Sequence, residues 1–271
     1  MTKFDEATQA IKVDEATYDV CLDAGYTIGT ALNGGYLMAV MLRAVVDASP
    51  HDHPVATSAQ FLRVPKVGPA TVRLEQLKSG RTTTVTRATL VQDGTPFVDA
   101  FVTTANLRPY VPGETPPPDE LTWSAPAPPM PPIEQCRALP APRPESNMAL
   151  SARMELLFDP PTIGWYTGEP TGRPEARAYF RLAEPQDPDP FVLALAVDAL
   201  PPVVFSAGAR GWAPTVELTW YLRALPAPGW LTLIGSGSLI AEGWFDENVE
   251  VRDSAGRLVA QSHQIARLGR G

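Results

Sequence analysis

Asp198 is the residue in this chain whose placement most invites chemistry. Phe191, Ala194 and Leu195 lie seven, four and three positions before it in an otherwise apolar helical stretch, so the aspartate shares their buried stripe. A carboxylate there is disfavoured twice, by desolvation and by the negative end of the helix dipole. Both effects raise its pKa, which is how a general base is made. Thr215 opens the strand after that helix, and Gln264 lies on the last strand-like segment. Singly, a strand threonine or glutamine is just a strand residue, and an aspartate at a frayed helix end turns to solvent. Together the three have the parts needed to hold and deprotonate a water.

The elements that must position them come in duplicate. Residues 54–105 and 214–266 are two copies of one pattern. Pro54 matches Pro214, and Phe61-Leu62-Arg63 matches Tyr221-Leu222-Arg223, at an offset of 160; Gly94 matches Gly256 at 162. A unit of this size exceeds the about 20–50-residue period of solenoids and reads as a duplicated domain. At those offsets the counterparts of Asp198, Thr215 and Gln264 are Met38, Val55 and Val102, so only the second copy carries the polar groups.

In each copy a strand and a helix precede four strands. The first copy reads as a strand at 18–23, the Gly-rich turn LNGGYL, a helix at 36–48, and strands at 54–63, 69–77, 82–92 and 96–106. The second reads as a strand at 175–182 and a helix in DPDPFVLALAVDALPP, with Asp187 or Asp189 as cap, Pro190 in the first turn and Pro201-Pro202 as the stop. Strands at 214–224, 230–239, 241–253 and 257–268 follow. Both helices are apolar nearly all round, hence buried on most sides. A long helix inside a curved antiparallel sheet is the hot-dog arrangement. The expected fold is therefore α+β, a double hot-dog whose sheets pair edge to edge. The expected units are an N-terminal hot-dog (1–107), a proline-saturated extended linker (108–146) and a C-terminal hot-dog with the polar trio (147–271).

Composition narrows the function. The 271 residues suffice for two cores of about 130 residues each. Hydrophobic content of 44% and charged content of 19% are those of a soluble globular protein. No apolar run approaches about 20 residues, so no membrane span is expected. The first ten residues lack a basic, apolar leader, so a cytoplasmic location is expected. A net charge of −8 argues against nucleic acid. Within that acidic chain, residues 63–87 hold six basic residues against Glu75 alone. Such an island suits a ligand with several phosphates, or else is a solvated strand face. Cys21 and Cys136 are expected as free thiols. His51 and His53 sit in a polar loop and do not make a metal site by themselves; no metal or cofactor is expected. His263 neighbours Gln264 on a strand and so points to the opposite face.

The chain resembles the acyl-CoA thioesterase II family of double-hot-dog enzymes. The first copy is similar to that family's N-terminal half from Gly34-Gly35 through Phe61-Leu62-Arg63 to SGRTTTVTRATLVQDGTPFVDAFVTTA. The second is similar to its C-terminal half from LAVDALPP through PTVELTWYLR to GRLVAQSHQ. By resemblance, the family's water-activating Asp-Thr-Gln triad falls on Asp198, Thr215 and Gln264. Departures occur beside it: Glu217 and Leu218 stand where the family commonly has Asp-His, and Leu222-Arg223-Ala224 where a strand often ends in Phe-His-Arg. The implied activity is hydrolysis of an acyl-CoA, with an acyl-carrier-protein thioester as a variant substrate. Backbone donors at the Gly-rich helix start (Gly34, Gly35, with Asn33 beside them) would serve the oxyanion. Arg63 and Arg81 would contact coenzyme A phosphates, and Tyr36, Met38, Met41 and Trp220 would line an acyl tunnel. A homodimer or higher oligomer is expected by the same resemblance. Two rivals stand: an idle double hot-dog that binds acyl chains or a partner, and a hot-dog hydratase or dehydratase, which would need a histidine near the central helix.

Overall fold

The structure, a computed structural model, describes residues 2–113, 121–141 and 147–269. The first half contains α1 (Lys3–Ala7), β1 (Ala10–Lys12), β2 (Thr17–Leu22), β3 (Thr27–Ile28), β4 (Ala31–Leu32), α2 (Gly34–Ala48), β5 (His53–Phe61), β6 (Gly68–Ser79), β7 (Thr84–Gln92) and β8 (Thr95–Ala105). The second contains β9 (Met154–Phe158), α3 (Gly164–Thr167), β10 (Glu175–Leu182), α4 (Pro190–Ala196), β11 (Thr215–Leu222), β12 (Leu231–Ser236), β13 (Ile240–Ala241), β14 (Trp244–Arg252) and β15 (Leu258–Arg267).

Among the described residues, thirteen strands form one antiparallel sheet, in the order β1-β2-β6-β7-β8-β5-β11-β15-β14-β12-β10-β9, with β13 folded back onto β14. The order is the same walk taken twice: β2-β6-β7-β8-β5 in one half is β10-β12-β14-β15-β11 in the other. The two walks meet at β5 and β11, paired from Glu217 opposite Gln60 to Tyr221 opposite Ala56. The sheets therefore join edge to edge, and each half hides the other's open edge.

Both central helices are buried, and they pack on each other. α2 starts at Asn33, whose side chain caps Tyr36 N, and is buried from Gly35 to Leu42 and at Ala44 and Val45. α4 starts at Asp189, whose carboxylate accepts from Val192 N at 2.7 Å, with Pro190 in its first turn. One contiguous core runs from Phe4 through both helices to Ala260. No helix among the described residues is long and apolar enough to cross a membrane.

Residues 114–120 and 142–146 of the expected linker lie outside the described residues. The described part is not a free spacer but a strap on the second half. Proline offers a carbonyl and needs no partner for an N–H. Accordingly, Tyr179 Oη donates to Pro131 O at 2.9 Å, Arg177 donates to Pro129 O at 3.3 Å, and Arg252 donates to Ala125 O at 3.2 Å.

Candidate active site

The α4 helix is a turn shorter than the sequence implies, and its early end is what presents Asp198. Pro201 and Pro202 have no N–H with which to serve the carbonyls of Val197 and Asp198 four residues earlier. The last turn tightens instead, with Asp198 N donating to Leu195 O at 3.1 Å and Ala199 N to Ala196 O at 3.3 Å. The stranded carbonyls find partners elsewhere. Ser262 Oγ donates to Val197 O at 3.4 Å, and Asn33 Nδ2 donates to Asp198 O at 2.8 Å.

Asn33 belongs to the other half of the molecule. Its Oδ1 caps α2, so its amide is oriented, and Nδ2 also donates to Asp198 Oδ2 at 2.9 Å. Gly35 N donates to the same oxygen at 2.9 Å. The positive end of the α2 dipole thus faces the Asp198 carboxylate. The glycines make this approach possible: a Cβ on Gly35 would lie 2.5 Å from Ala194 O, and one on Gly34 would lie 2.8 Å from Phe61 Cζ and 3.0 Å from Asp198 Oδ2. For Asn33 and Gly35 this placement differs from the expected oxyanion role. The hydrogens of Asn33 and Gly35 already go to Asp198, because α4 ends where its carboxylate meets the α2 start.

Burial pushes the Asp198 carboxyl up to about 6, while the amides of Gly35 and Gly34 and the Asn33 side chain pull it back down. The residue keeps a partly exposed edge even though protein encloses its carboxylate. The N-caps Asn33 and Asp189 relate the two helices at an offset of 156, which makes Leu42 rather than Met38 the positional counterpart of Asp198; both are buried and apolar.

Thr215 and Gln264 are joined directly: Thr215 Oγ1 donates to Gln264 Oε1 at 2.6 Å. Strand alternation alone would prevent this. Leu218 points inward and is paired with Gln264, so strict alternation puts Thr215 outward. A bulge between Thr215 and Glu217 inserts the extra residue that turns Thr215 back in, opposite Ala266. A bulge at Pro54/Ala56 sits at the corresponding place of the first half, where the position matching Thr215 in the ladder is Pro54, which lies opposite Thr104 and, as a proline, has no hydroxyl to donate.

A second carboxyl was not foreseen. Glu247 on β14 stands directly opposite Gln264 on β15, is 2% exposed, and accepts from Val203 N at 3.0 Å through Oε2. The Gln264 side chain, opposite it on β15, lowers its pKa. Burial first, then the nearby Asp198 and Asp246 charges, push its carboxyl up to about 8 against the pull of Val203 N and Gln264. One clue was in the sequence: Glu247 is in phase with inward Phe245, Val249 and Val251.

The remaining candidates separate. Arg63 follows β5 at the end marked by Phe61 and Gly34, and donates to Pro96 O at 2.9 Å. Arg81 lies in the turn between β6 and β7, at the far end of nine-residue β7, about 30 Å away at the usual strand rise. The two thus stand at opposite ends of β7. Tyr36, Met38, Met41 and Trp220 are packed in the core, with Tyr36 stacked on Tyr26 at a centroid distance of 4.2 Å. Glu217 accepts from Ser58 at 3.0 Å and Thr219 at 2.6 Å on the outer face, while Leu218 is buried. His263 faces away, bonded to Asn248 at 2.8 Å; His51 is buried against Thr84 and Arg81 O; His53 Nδ1 accepts from Leu107 N. Among the described residues, no three His, Cys, Asp or Glu side chains are grouped to hold a metal.

Family models for the acyl-CoA thioesterase N-terminal domain and C-terminal domain match residues 22–105 and 133–268. This chain belongs to the acyl-CoA thioesterase II-like family. It is 32% identical over 261 residues to the uncharacterized protein Rv0499 of Mycobacterium tuberculosis, covering 90% of this chain and 88% of that protein. Its structure is similar to that of a candidate thioesterase II from Thermobifida fusca YX (TM-score 0.90, 43% identity, 100% and 98% of the two chains covered). It also matches a conserved protein of unknown function with a hot dog fold from Alicyclobacillus acidocaldarius (TM-score 0.85, 21% identity, 100% and 99% covered). The hot dog fold of that neighbour agrees with the double hot-dog seen in this chain.

Proposed function

We propose that this protein hydrolyses acyl-CoA thioesters to the free acid and coenzyme A, with a water activated by Asp198 and held by Thr215 and Gln264. The observation that carries the reading is the placement of Asp198. A carboxyl raised to about 6 is held by donors from the other half, and the turned-in Thr215–Gln264 pair includes the strand whose Ser262 bonds the carbonyl of Val197, next to Asp198. Near neutral pH such a group is ionised yet basic enough to accept a proton.

In this reading the base comes from the unit 147–271 and its donors from the unit 1–107, with 108–146 as the connection. Asn33 and Gly35 orient Asp198 through Oδ2, and Oδ1 takes the proton. The water oxygen attacks the thioester carbonyl carbon, the carbon–sulfur bond breaks, and the proton leaves with the coenzyme A thiolate. No covalent acyl-enzyme forms. Arg63, at the site end of β5, is the better placed of the two arginines for a phosphate contact. The hydratase rival loses support because none of the three histidines hydrogen-bonds to Asp198 or its partners.

The test is thiol release from a panel of short, long and aromatic acyl-CoAs. Release above background that falls by on the order of 10²-fold or more in Asp198→Asn supports the assignment. Wild-type rates in that variant refute it. Silence of a folded wild type across the panel moves the substrate to a carrier-protein thioester or leaves an idle binding module.

A further inference from the structure

Glu247 is a buried ionisable group that the hydrolysis scheme does not use. It is also the group that decides how Gln264 is oriented. A glutamine amide has one accepting and one donating end, and either could be turned toward Thr215. In the structure Oε1 meets the Thr215 hydroxyl, so Nε2 must find an acceptor. The acceptor nearest to hand is Glu247, directly opposed to Gln264 on β14, with its Oε2 held by Val203 N at 3.0 Å. An ionised Glu247 accepts at both oxygens. It thereby forces Gln264 to donate toward β14 and accept from Thr215, which leaves the Thr215 lone pairs to receive a hydrogen of the water.

We propose that Glu247 is a positioning residue of this active site, acting through Gln264 to set which end of that amide meets Thr215. The proposal rests on the hydrolysis reading above for its effect on rate, and on the opposed placement of Glu247 and Gln264 for its effect on that amide. The charges acting on Glu247 are Asp198, from the turn after α4, and Asp246, its neighbour on β14; the polar groups against it are Gln264 and Val203 N. When Glu247 is protonated, its own O–H competes for Gln264 Oε1. In Glu247→Gln, Val203 N–H retains the new carbonyl, and the new NH₂ faces Gln264 at every pH.

The experiment compares wild type with Glu247→Gln between pH 6 and pH 9, using kcat and KM for one acyl-CoA hydrolysed by the wild type. The expected result is equal kcat at pH 6 and a deficit growing to about tenfold at pH 9, with KM unchanged; tenfold is what loss of one well-made hydrogen bond implies. A kcat within twofold of wild type throughout overturns the proposal. So does an equal loss at both pH values, or a variant that does not fold, since either assigns Glu247 a purely structural role. A second readout needs no turnover. The Gln264 side-chain amide resonance, identified by its loss in Gln264→Leu, should shift with pH above 7 in the wild type and stay fixed in Glu247→Gln. A resonance that does not move in the wild type overturns the proposal even if no substrate is found. An inactive wild type whose Gln264 resonance does titrate refutes hydrolysis but not the positioning role.

Discussion

Asp198 is held by opposing influences, and each has a consequence that can be measured. Burial raises its pKa, and three donors on the α2 side limit the rise. The proposed base acts only when deprotonated. On any hydrolysed acyl-CoA, kcat/KM should therefore climb about tenfold per pH unit below about 6; the shallower rise expected between pH 7 and pH 9 belongs to Glu247 and should vanish in Glu247→Gln. A profile flat down to pH 4 would remove Asp198 from that role. The same shift bears on stability. A carboxyl whose folded pKa lies above its unfolded value favours the protonated folded state, so stability is lost as pH rises from the unfolded value of 3.8 toward about 6. Asp198→Asn removes that loss while its remaining carbonyl still accepts from Asn33 and Gly35. Its Tm at pH 8 is expected to equal or exceed that of the wild type, as followed by circular dichroism. Asp198, Thr215 and Gln264 stand out in the sequence because the repeat supplies a control: Met38, or Leu42 once the helix caps are aligned, and Val102 are apolar where Asp198 and Gln264 are not. Glu247 was not legible by that route. In DENVEVR it reads as one more solvated strand charge, and only its phase with Phe245 and Val249 betrays it.

Between elements, the site is the crossing of two helix ends. The α2 start meets a carboxylate, whereas the α4 start is filled differently: Arg43 reaches Asp5 at 2.6 Å and Asp189 at 3.7 Å and lies over the Phe191 ring at 3.9 Å. The duplicated fold thus has two such crossings, and only one of them holds a carboxylate on the α2 start. The open crossing depends on the absence of a Cβ at position 35. Gly35→Ala would drive a methyl to 2.5 Å from a backbone oxygen of α4, which cannot swing aside as a side chain can. We expect a loss of about 1–3 kcal/mol or more in urea unfolding, together with lost turnover as Asp198 shifts. Unchanged stability would mean that the helices do not approach this closely. The long strands were readable from alternation and turn residues, and β10 has the expected bounds. Two-residue strands such as β3 and β4 carry too little pattern to read. α4 ends earlier than Pro201-Pro202 imply because the N–H that a proline lacks is felt four residues before it.

Across the whole molecule, the repeat suggests two separable domains, but the packing does not divide. α2 and α4 bury their faces against each other, Trp220 is fully buried on the β5–β11 seam, and one cluster of core residues spans both halves. Folding either half alone would expose a long sheet edge and the apolar flank of its helix, the combination that leads to aggregation. The edge-to-edge pairing could be anticipated from the duplication. The shared core could not, because periodicity says which face of a helix is buried but not against what. Calorimetry of the full chain should accordingly give one cooperative transition, with residues 1–107 insoluble when expressed alone and recovered on co-expression with the second half. Trp220→Ala should lower the whole transition, by about 3–5 kcal/mol in unfolding free energy, rather than split it. Two resolved transitions, or a soluble folded N-terminal half, would mean that the halves are independent. The site would then have to be assembled by docking two finished domains, and the Asn33–Asp198 contact would report that docking rather than the folding of a single core.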